Sequence, residues 1–400
     1  MWIVRQKEKT APQQFLYYWL AFAVLLRILL VGAFPALSDD IYRFIWDGRL
    51  WLAGHNPFDY LPTWYLEESH QVPGLTKDLF DQLNSPKYYT IYPPVAQFTF
   101  VVSCWIAPNS WVGAAIVMKL LLLAAELGSL WLILRLLAHW KLPATRVLWF
   151  ALNPLLIVEV MGNLHFEGVM IFFLLLGIWY LTKEAWWRSA TAMALAVASK
   201  LLPLMFFPFL IRRLGWQRSF AYFSLVGVVL VGLWLPMLSE TFVTNFGSSV
   251  ELYFQRFEFN ASFFNIVQWV GYQYEGYNLI RFIGPSLALL VLGLILWRSW
   301  HDQGEKWIQL PGLWLFAISV YLFCATTVHP WYTALPLVLC IFTNYRWPIL
   351  WSFLITFTYI TYWNPENFQE QLWVVAVEYL LVVGFAFWEV RGSKIKKAMA

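Results

Sequence analysis

The sequence predicts an all-α, polytopic membrane protein, and three observations carry that reading. Hydrophobic residues fill 60% of the 400 positions and charged ones only 12%, about half the roughly 25% usual in a soluble domain. Apolar runs long enough to enter a hydrocarbon core of about 30 Å recur along the chain, and in lipid such runs close their backbone hydrogen bonds as helix. The 26 Trp and 20 Tyr are rings that gather at bilayer interfaces, which assigns much of the aromatic excess to anchoring.

In order, the apolar runs cover 13–36, 91–107, 112–134, 147–161, 163–182, 189–211, 219–238, 281–299, 309–328, 331–343, 347–363 and 369–390. Residues 13–36 are long enough to span and lack a clear small-residue cleavage site, so they are expected to remain as an anchor. Two long polar-aromatic loops, 37–90 and 239–280, interrupt the runs. With no internal repeat and no low-complexity linker, residues 1–400 read as one integral membrane domain.

Orientation follows the basic residues. Arg5, Lys7, Lys9, the loops holding Arg135, Lys141 and Arg146, Lys183 and Arg188, and Arg212, Arg213 and Arg218, and the C-terminal Arg391, Lys394, Lys396 and Lys397 are placed in the cytoplasm. Loop 37–90 carries eight acids against four Lys and Arg and is placed outside. The assignment closes with about ten full crossings if 91–107 enters and leaves from the outer side and 189–211 is a broken hairpin from the inner side. Tyr92-Pro93-Pro94 and Pro108 bracket the first; Lys200, Pro203 and Pro208 interrupt the second. The net charge of +4 is explained by this topology rather than by a nucleic-acid partner.

Residues 39–53 read as an amphipathic helix lying on the outer surface. Ser38 suits an N-cap, and acids in the first turn suit the helix dipole. Asp40, Arg43 and Asp47 share a face at i, i+3 and i+4 spacing, and Gly54 can end the helix. Asp39 and Asp40 would serve as simple caps, but they adjoin a span and face other polar groups, and a surface carboxylate there can act on a lipid-borne substrate. His165 and Glu167 sit between apolar runs, where an ionised group costs roughly 2.5–3.5 kcal/mol to insert and therefore usually lines a cavity. Glu126 and Glu159, deeper in apolar runs, read as structural. Lys200 suits snorkelling as well as a cavity. His329, in Val328-His329-Pro330-Trp331-Tyr332, stands out because an aromatic belt needs no imidazole. Arg256 suits a bidentate phosphate clamp and equally a pair with Glu251 or Glu258. Asn260-Ala261-Ser262 matches a glycosylation sequon, a weak signal by itself.

Cys104, Cys324 and Cys340 lie in apolar runs without CxxC spacing, so neither a disulfide framework nor a zinc site is expected. GxxxxGK[ST], HExxH and GxSxG are absent, which argues against an ATP-driven pump and a serine hydrolase.

An ordered set of motifs remains: the acid pair after the first run, Trp46-Asp47-Gly48-Arg49, Gly54-His55-Asn56-Pro57-Phe58, Tyr92-Pro93-Pro94, Asn153-Pro154, Lys200-Leu201-Leu202-Pro203 and His329-Pro330-Trp331-Tyr332. From about 38 to 335 the chain resembles the polyprenol-phosphate-mannose-dependent mannosyltransferases of the GT-C fold, in particular bacterial relatives of the GPI mannosyltransferase I catalytic subunit. The resemblance implies an inverting glycosyltransferase in the bacterial cell membrane, with its active site on the periplasmic or extracellular side. It would move a sugar, mannose by resemblance, from a polyprenyl-phosphate donor to a lipid or glycan acceptor. Relatives carry Asp-x-Asp in the first outer loop; this chain has Ser38-Asp39-Asp40, so Asp40 matches the second acid and is the expected base, with Asp39 beside it. Arg43, His165, Arg256 and His329 are the expected phosphate donors. Asp47, Tyr92, Asn163, Glu167, Lys200, Asn260 and Tyr332 are expected to hold substrate. No cofactor is called for, and a divalent ion between Asp39 and Asp40 stays open. A transporter or flippase of lipid-linked glycans is the rival reading, followed by a non-catalytic subunit of a glycosylation complex.

Overall fold

The computed structural model describes residues 13–255, 257–304, 306–363 and 369–398. Its longer helices are α1 (Gln13–Val31), α2 (Asp40–Leu52), α3 (Pro94–Ile106), α4 (Trp111–His139), α5 (Glu167–Thr182), α6 (Trp186–Ser199), α7 (Trp216–Trp234), α8 (Phe242–Gln255), α9 (Phe263–Glu275), α10 (Ile280–Trp300), α11 (Leu310–Cys324), α12 (Trp347–Leu354) and α13 (Leu372–Ala398). Among the described residues the extended backbone pairs only at one isolated bridge, Phe259 to Thr327. The protein is all-α and polytopic, as its composition requires.

Among the described residues six helices are long and apolar enough to cross a membrane: α1, α4, α7 continued to Met237, α10, α11 with the turn from Trp307, and α13 as far as Gly392. A seventh span forms if Ala144–Ala151 and Leu156–Gly162, bent by 58°, count as one. The other apolar runs form shorter or interrupted helices. Run 91–107 folds as α3, whose 13 residues reach about 20 Å, short of a full hydrocarbon core. Run 189–211 breaks where Lys200 and its prolines predict: α6 ends at Ser199, Lys200 is extended, and a 3-10 turn over Leu202–Phe206 leads into Pro208–Leu214. Run 347–363 divides into α12 and a 3-10 segment, Ile355–Trp363.

Charged groups inside the bundle are spent on holding helices together. Arg27 of α1 donates through Nε to Glu126 of α4 at 2.8 Å and through Nη1 to the carbonyls of Ala23 and Ala151. Lys119 of α4 donates to the carbonyls of Leu30 and Ala33 at the end of α1. A buried ion that lost its partner would be strongly unfavourable, so these contacts fix which helices touch.

The helix expected on the membrane surface is instead largely enclosed. Ile41, Phe44, Ile45, Trp46 and Leu50 of α2 are all buried, and Gly48 lies so close to α3 that a Cβ there would sit 2.6 Å from the Phe100 carbonyl oxygen. The helix ends as predicted, with Gly54 at a positive φ of 81° and the His55 N–H donating to the Leu50 carbonyl. The loop beyond it is stitched to loop 239–280. Asn56 Nδ2 donates to the Met237 carbonyl, Asn245 Nδ2 to those of Phe58 and Asp59, Ser239 Oγ to the Asp59 carboxylate, and Ser249 Oγ to the Tyr89 carbonyl. Phe58, Met237 and Phe242 form a small core between them.

Candidate active site

Asp39 occupies the N-cap position of α2, yet its side chain makes no capping hydrogen bond. The cap reading therefore does not account for it. The Asp39 side chain is without a hydrogen-bond partner among the described residues; partial burial first, then the charge of Asp40, raises its carboxyl above the ordinary value. Asp40 opens the helix and accepts one side-chain bond, from Asn84 Nδ2 at 2.8 Å. The backbone just before the pair is held from elsewhere: Asn163 Oδ1 accepts the N–H groups of Ala36 and Leu37 at 3.3 and 3.1 Å.

Two residues beyond Asn163, His165 begins a ladder of stacked rings. His165 lies on Trp331 with centroids 3.7 Å apart, Trp331 on His329 at 4.5 Å, and His329 on Phe259 at 5.1 Å. Phe259 meets Tyr362 at 6.0 Å, and Tyr362 lies within reach of the charge of Asp40. The ladder thus returns to the acid pair. His165 Nε2 and His329 Nδ1 are buried without a hydrogen-bond partner. His165 Nε2 is 3.3 Å from Glu159 Oε2, near enough for attraction but not aligned for a hydrogen bond. Orphaned buried nitrogens are rare and call for an explanation, and here two sit on rings stacked against the same Trp331. Burial, and after it His165 and Lys200, pulls the His329 imidazole down to about 3, which keeps it a neutral ring rather than a cation.

Lys200 closes the same region. Its Nζ pairs with Glu167 Oε1 and stands 4.2 Å above the Tyr332 ring, which meets His329 edge-on at 5.4 Å. One residue on, Leu201 begins an apolar cavity of about 390 Å³, lined also by Val197, Leu204, Leu230, Trp234 and Phe246. Its walls suit a hydrocarbon chain and offer nothing to a sugar.

The structure therefore gathers His165, Glu167, Lys200, His329 and Tyr332 in one region, and Asn163 ties it to the backbone that leads into Asp39 and Asp40. Other expected site residues are committed elsewhere. Arg43 is buried and donates through Nε to Asp47 at 2.8 Å and through Nη1 to the carbonyls of Tyr88 and Ser85. Asp47 accepts in addition from Thr90 Oγ1 at 2.5 Å and Gln97 Nε2 at 2.9 Å. The geometry gives this pair the task of fixing the loop to α2. Tyr92 packs edge-on against Phe44 and Phe100 at 4.9 and 5.5 Å. Asn260, in the left-handed conformation at φ 47°, is fully buried; its N–H meets Glu370, its Nδ2 donates to Glu378 and its carbonyl accepts from Tyr379. It is inaccessible as a glycosylation acceptor, and it reaches the ladder only through its neighbour Phe259. Arg256 lies outside the described residues.

Several members were not legible beforehand. Glu159, read as structural, accepts from Tyr359 and Asn163 beside His165. Trp331 was read as belt and instead separates two imidazoles. Asn84, Tyr359 and Tyr362 carried no local signal; chain closure brings Asn84 to Asp40 over 44 positions and Tyr359 to Glu159 over 200.

Fold and site together define a class: helical, many-spanning membrane proteins with acids, imidazoles and a lysine converging beside an apolar cavity. Residues 2–215 match the family described as alpha-(1->6)-mannopyranosyltransferase, N-terminal domain, and the chain belongs to that family. The mannosyltransferase resemblance of its motifs is borne out by this match. The chain is 24% identical over 340 residues to alpha-(1->6)-mannopyranosyltransferase A of Mycobacterium tuberculosis, covering 76% of this chain and 61% of the relative. It is 23% identical over 185 residues to the protein of the same name from Corynebacterium glutamicum, covering 46% and 36%. The chain thus spans less than two thirds of the length of either curated relative.

Proposed function

We propose that the protein is an inverting mannosyltransferase that takes mannose from a polyprenyl-phosphate donor and forms an α-(1→6) link on a lipid or glycan acceptor at the periplasmic or extracellular face. Asp40 accepts the proton of the acceptor hydroxyl. That oxygen attacks C1 of the sugar, the bond from C1 to the phosphate oxygen breaks, and polyprenyl phosphate leaves with the bonding pair. Since direct displacement inverts C1, an α product requires a β-linked donor.

Charge grows on the leaving phosphate, and donors already fixed in a water-poor site stabilise it most. His165 Nε2 and His329 Nδ1 are placed for this task, and Lys200 supplies positive charge from the side of the cavity. The arriving phosphodiester anion, and more so the charge that builds on it as the bond to C1 breaks, favours protonation of His329, so a ring that is otherwise neutral becomes a better donor when loaded. The cavity beyond Leu201 takes the isoprenoid tail. The observation that carries the reading is the pair of orphaned imidazole nitrogens stacked about Trp331, with Asn163, two residues before His165, holding the backbone that enters the acid pair. A transporter built around the same groups has no need of a carboxylate as lightly partnered as Asp40.

Purified protein in detergent or nanodiscs, given radiolabelled polyprenyl-phosphate mannose and an acceptor lipid extract, tests the proposal. Mannose should pass to acceptor with wild type and not with Asp40→Asn, while donor binding persists. Full activity in Asp40→Asn removes the base assignment. Absence of transfer by folded wild type across acceptor lipids, with donor moved between leaflets instead, favours the flippase.

A further inference from the structure

Beside His165 lies an ionisable group that the proposed mechanism does not use, Glu159, and it sits on irregular backbone. Residues Leu156–Gly162 form a π-helix, a geometry that is rare and frequent at functional sites. Leu164, two residues later, is buried in the left-handed conformation at φ 64°, a genuine outlier for a bulky side chain. Such strain persists only where surrounding contacts hold it, and an observed outlier justifies a functional hypothesis. The two irregularities flank Asn163 and turn His165 back, so that its N–H donates to the Glu159 carbonyl at 3.3 Å.

Glu159 is the centre of this turn and is almost wholly buried. Its Oε1 accepts from the Tyr359 hydroxyl at 2.5 Å and its Oε2 from Asn163 Nδ2 at 3.2 Å, with His165 Nε2 at 3.3 Å. Asn163 spends its other end, Oδ1, on the N–H groups of Ala36 and Leu37. A single carboxylate therefore connects three separate parts of the chain: the segment entering the acid pair, the imidazole that heads the ladder, and the 3-10 segment carrying Tyr359 and Tyr362.

We propose that Glu159 is a positioning residue for sugar transfer, setting the spacing between the Asp39-Asp40 backbone and the His165 ring through Asn163. The assignment rests on the transferase reading given above. It differs from a plain helix-to-helix contact in one respect. A carboxylate that only satisfied buried donors would be expected to align with the imidazole as well, whereas here Nε2 lies 3.3 Å from Oε2, buried and without a hydrogen bond. Glu159 touches no reacting atom; its effect passes through Asn163 and His165.

The test uses the full chain in nanodiscs, with turnover counted per folded molecule. Glu159→Ala should lower kcat by about 100-fold, the scale of a misplacement near 1 Å, and leave the donor KM within about 3-fold. Glu159→Gln keeps an acceptor for Asn163 and a polar contact for Tyr359, and should recover at least about tenfold of that loss. Tyr359→Phe, which deletes one hydroxyl and leaves the packing, should lower kcat by about tenfold. Combined with Glu159→Ala it should add nothing, as expected for groups acting as one unit. Wild-type kcat in folded Glu159→Ala overturns the proposal, as does a rise in KM alone, or equal impairment by Ala and Gln. If Glu159→Ala does not fold, unchanged kcat in Tyr359→Phe overturns it. An inactive, folded wild type defeats the transferase reading instead, so the two failures are told apart.

Discussion

Asp40 and Asp47 lie seven residues apart on one helix and live in opposite chemical worlds. Asp47 is fully buried, and both its oxygens are engaged by Arg43, Thr90 and Gln97. Asp40 is only partly covered and takes a single side-chain bond, from Asn84. A saturated carboxylate has no lone pair left for a substrate, and moving it would strand a buried guanidinium. An under-satisfied one can accept a proton. Acidic character and helical register are the same for both; the neighbours decide which is scaffold and which is free to react.

The sharpest way to break this contrast is to neutralise each acid in turn. Asp40→Asn should reduce transfer by about 10²–10⁴-fold, the usual scale for loss of a general base, and leave thermal unfolding in detergent close to wild type. Asp47→Ala should do the reverse, costing about 3–5 kcal/mol of stability by leaving Arg43 buried and unpaired. If the Asp47 variant were stable and merely inactive, the division of labour would be wrong. Next in size, Gly48→Ala pushes a methyl group onto the Phe100 carbonyl and Cys104 Sγ, and should cost about 1–3 kcal/mol by overpacking, read as a lower unfolding temperature with turnover per folded molecule retained. Asn84→Ala should slow transfer by no more than about tenfold, since one bond to a charged group orients Asp40 without creating its basicity.

The smallest effect concerns Asp39. Its folded-state pKa is raised, by burial first and by Asp40 next, so the folded protein holds this proton more tightly than the unfolded chain. The stabilisation from that proton is complete below the unfolded value and is lost as pH rises through the folded one. At neutral pH the ionised Asp39 is therefore a slight burden. Asp39→Asn should unfold at a slightly higher temperature than wild type at pH 7, with the gap closing on acidification through the carboxylate range. A gap that widened in acid would contradict the assignment.

Much of this was open to reading from residue order alone. The twin acids after the first run, the helix stop at Gly54 and the break at Lys200 each follow from local chemistry, and each is where expected. His329 stood out because an aromatic belt needs no imidazole, and His165 because an ionisable group between apolar runs usually lines a cavity. The division between Asp40 and Asp47 was invisible, because i, i+4 spacing places Arg43 beside Asp47 but says nothing of Thr90 and Gln97 arriving from another loop. The surroundings of Glu159 were hidden for a related reason. A carboxylate in an apolar run looks structural until its partners are known, and one of them, Tyr359, lies 200 positions further on. Prolines and a π-turn cut runs that a hydropathy profile sees as continuous, so fewer single helices than apolar runs are long enough to cross among the described residues.

The bonds between loop 37–90 and loop 239–280 have a consequence for biogenesis. Asn56 reaches its partner carbonyl across 181 positions, so the first loop is synthesised long before anything exists to grip it. The stretch matched to the family, residues 2–215, contains both aspartates and His165 but neither His329, Trp331 nor Tyr362. Maturation is consequently governed by the later chain. A ribosome stalled before residue 329 would leave an inserted intermediate that has its acids and one of its two ladder histidines, and that becomes competent only when the remaining helices enter the bilayer.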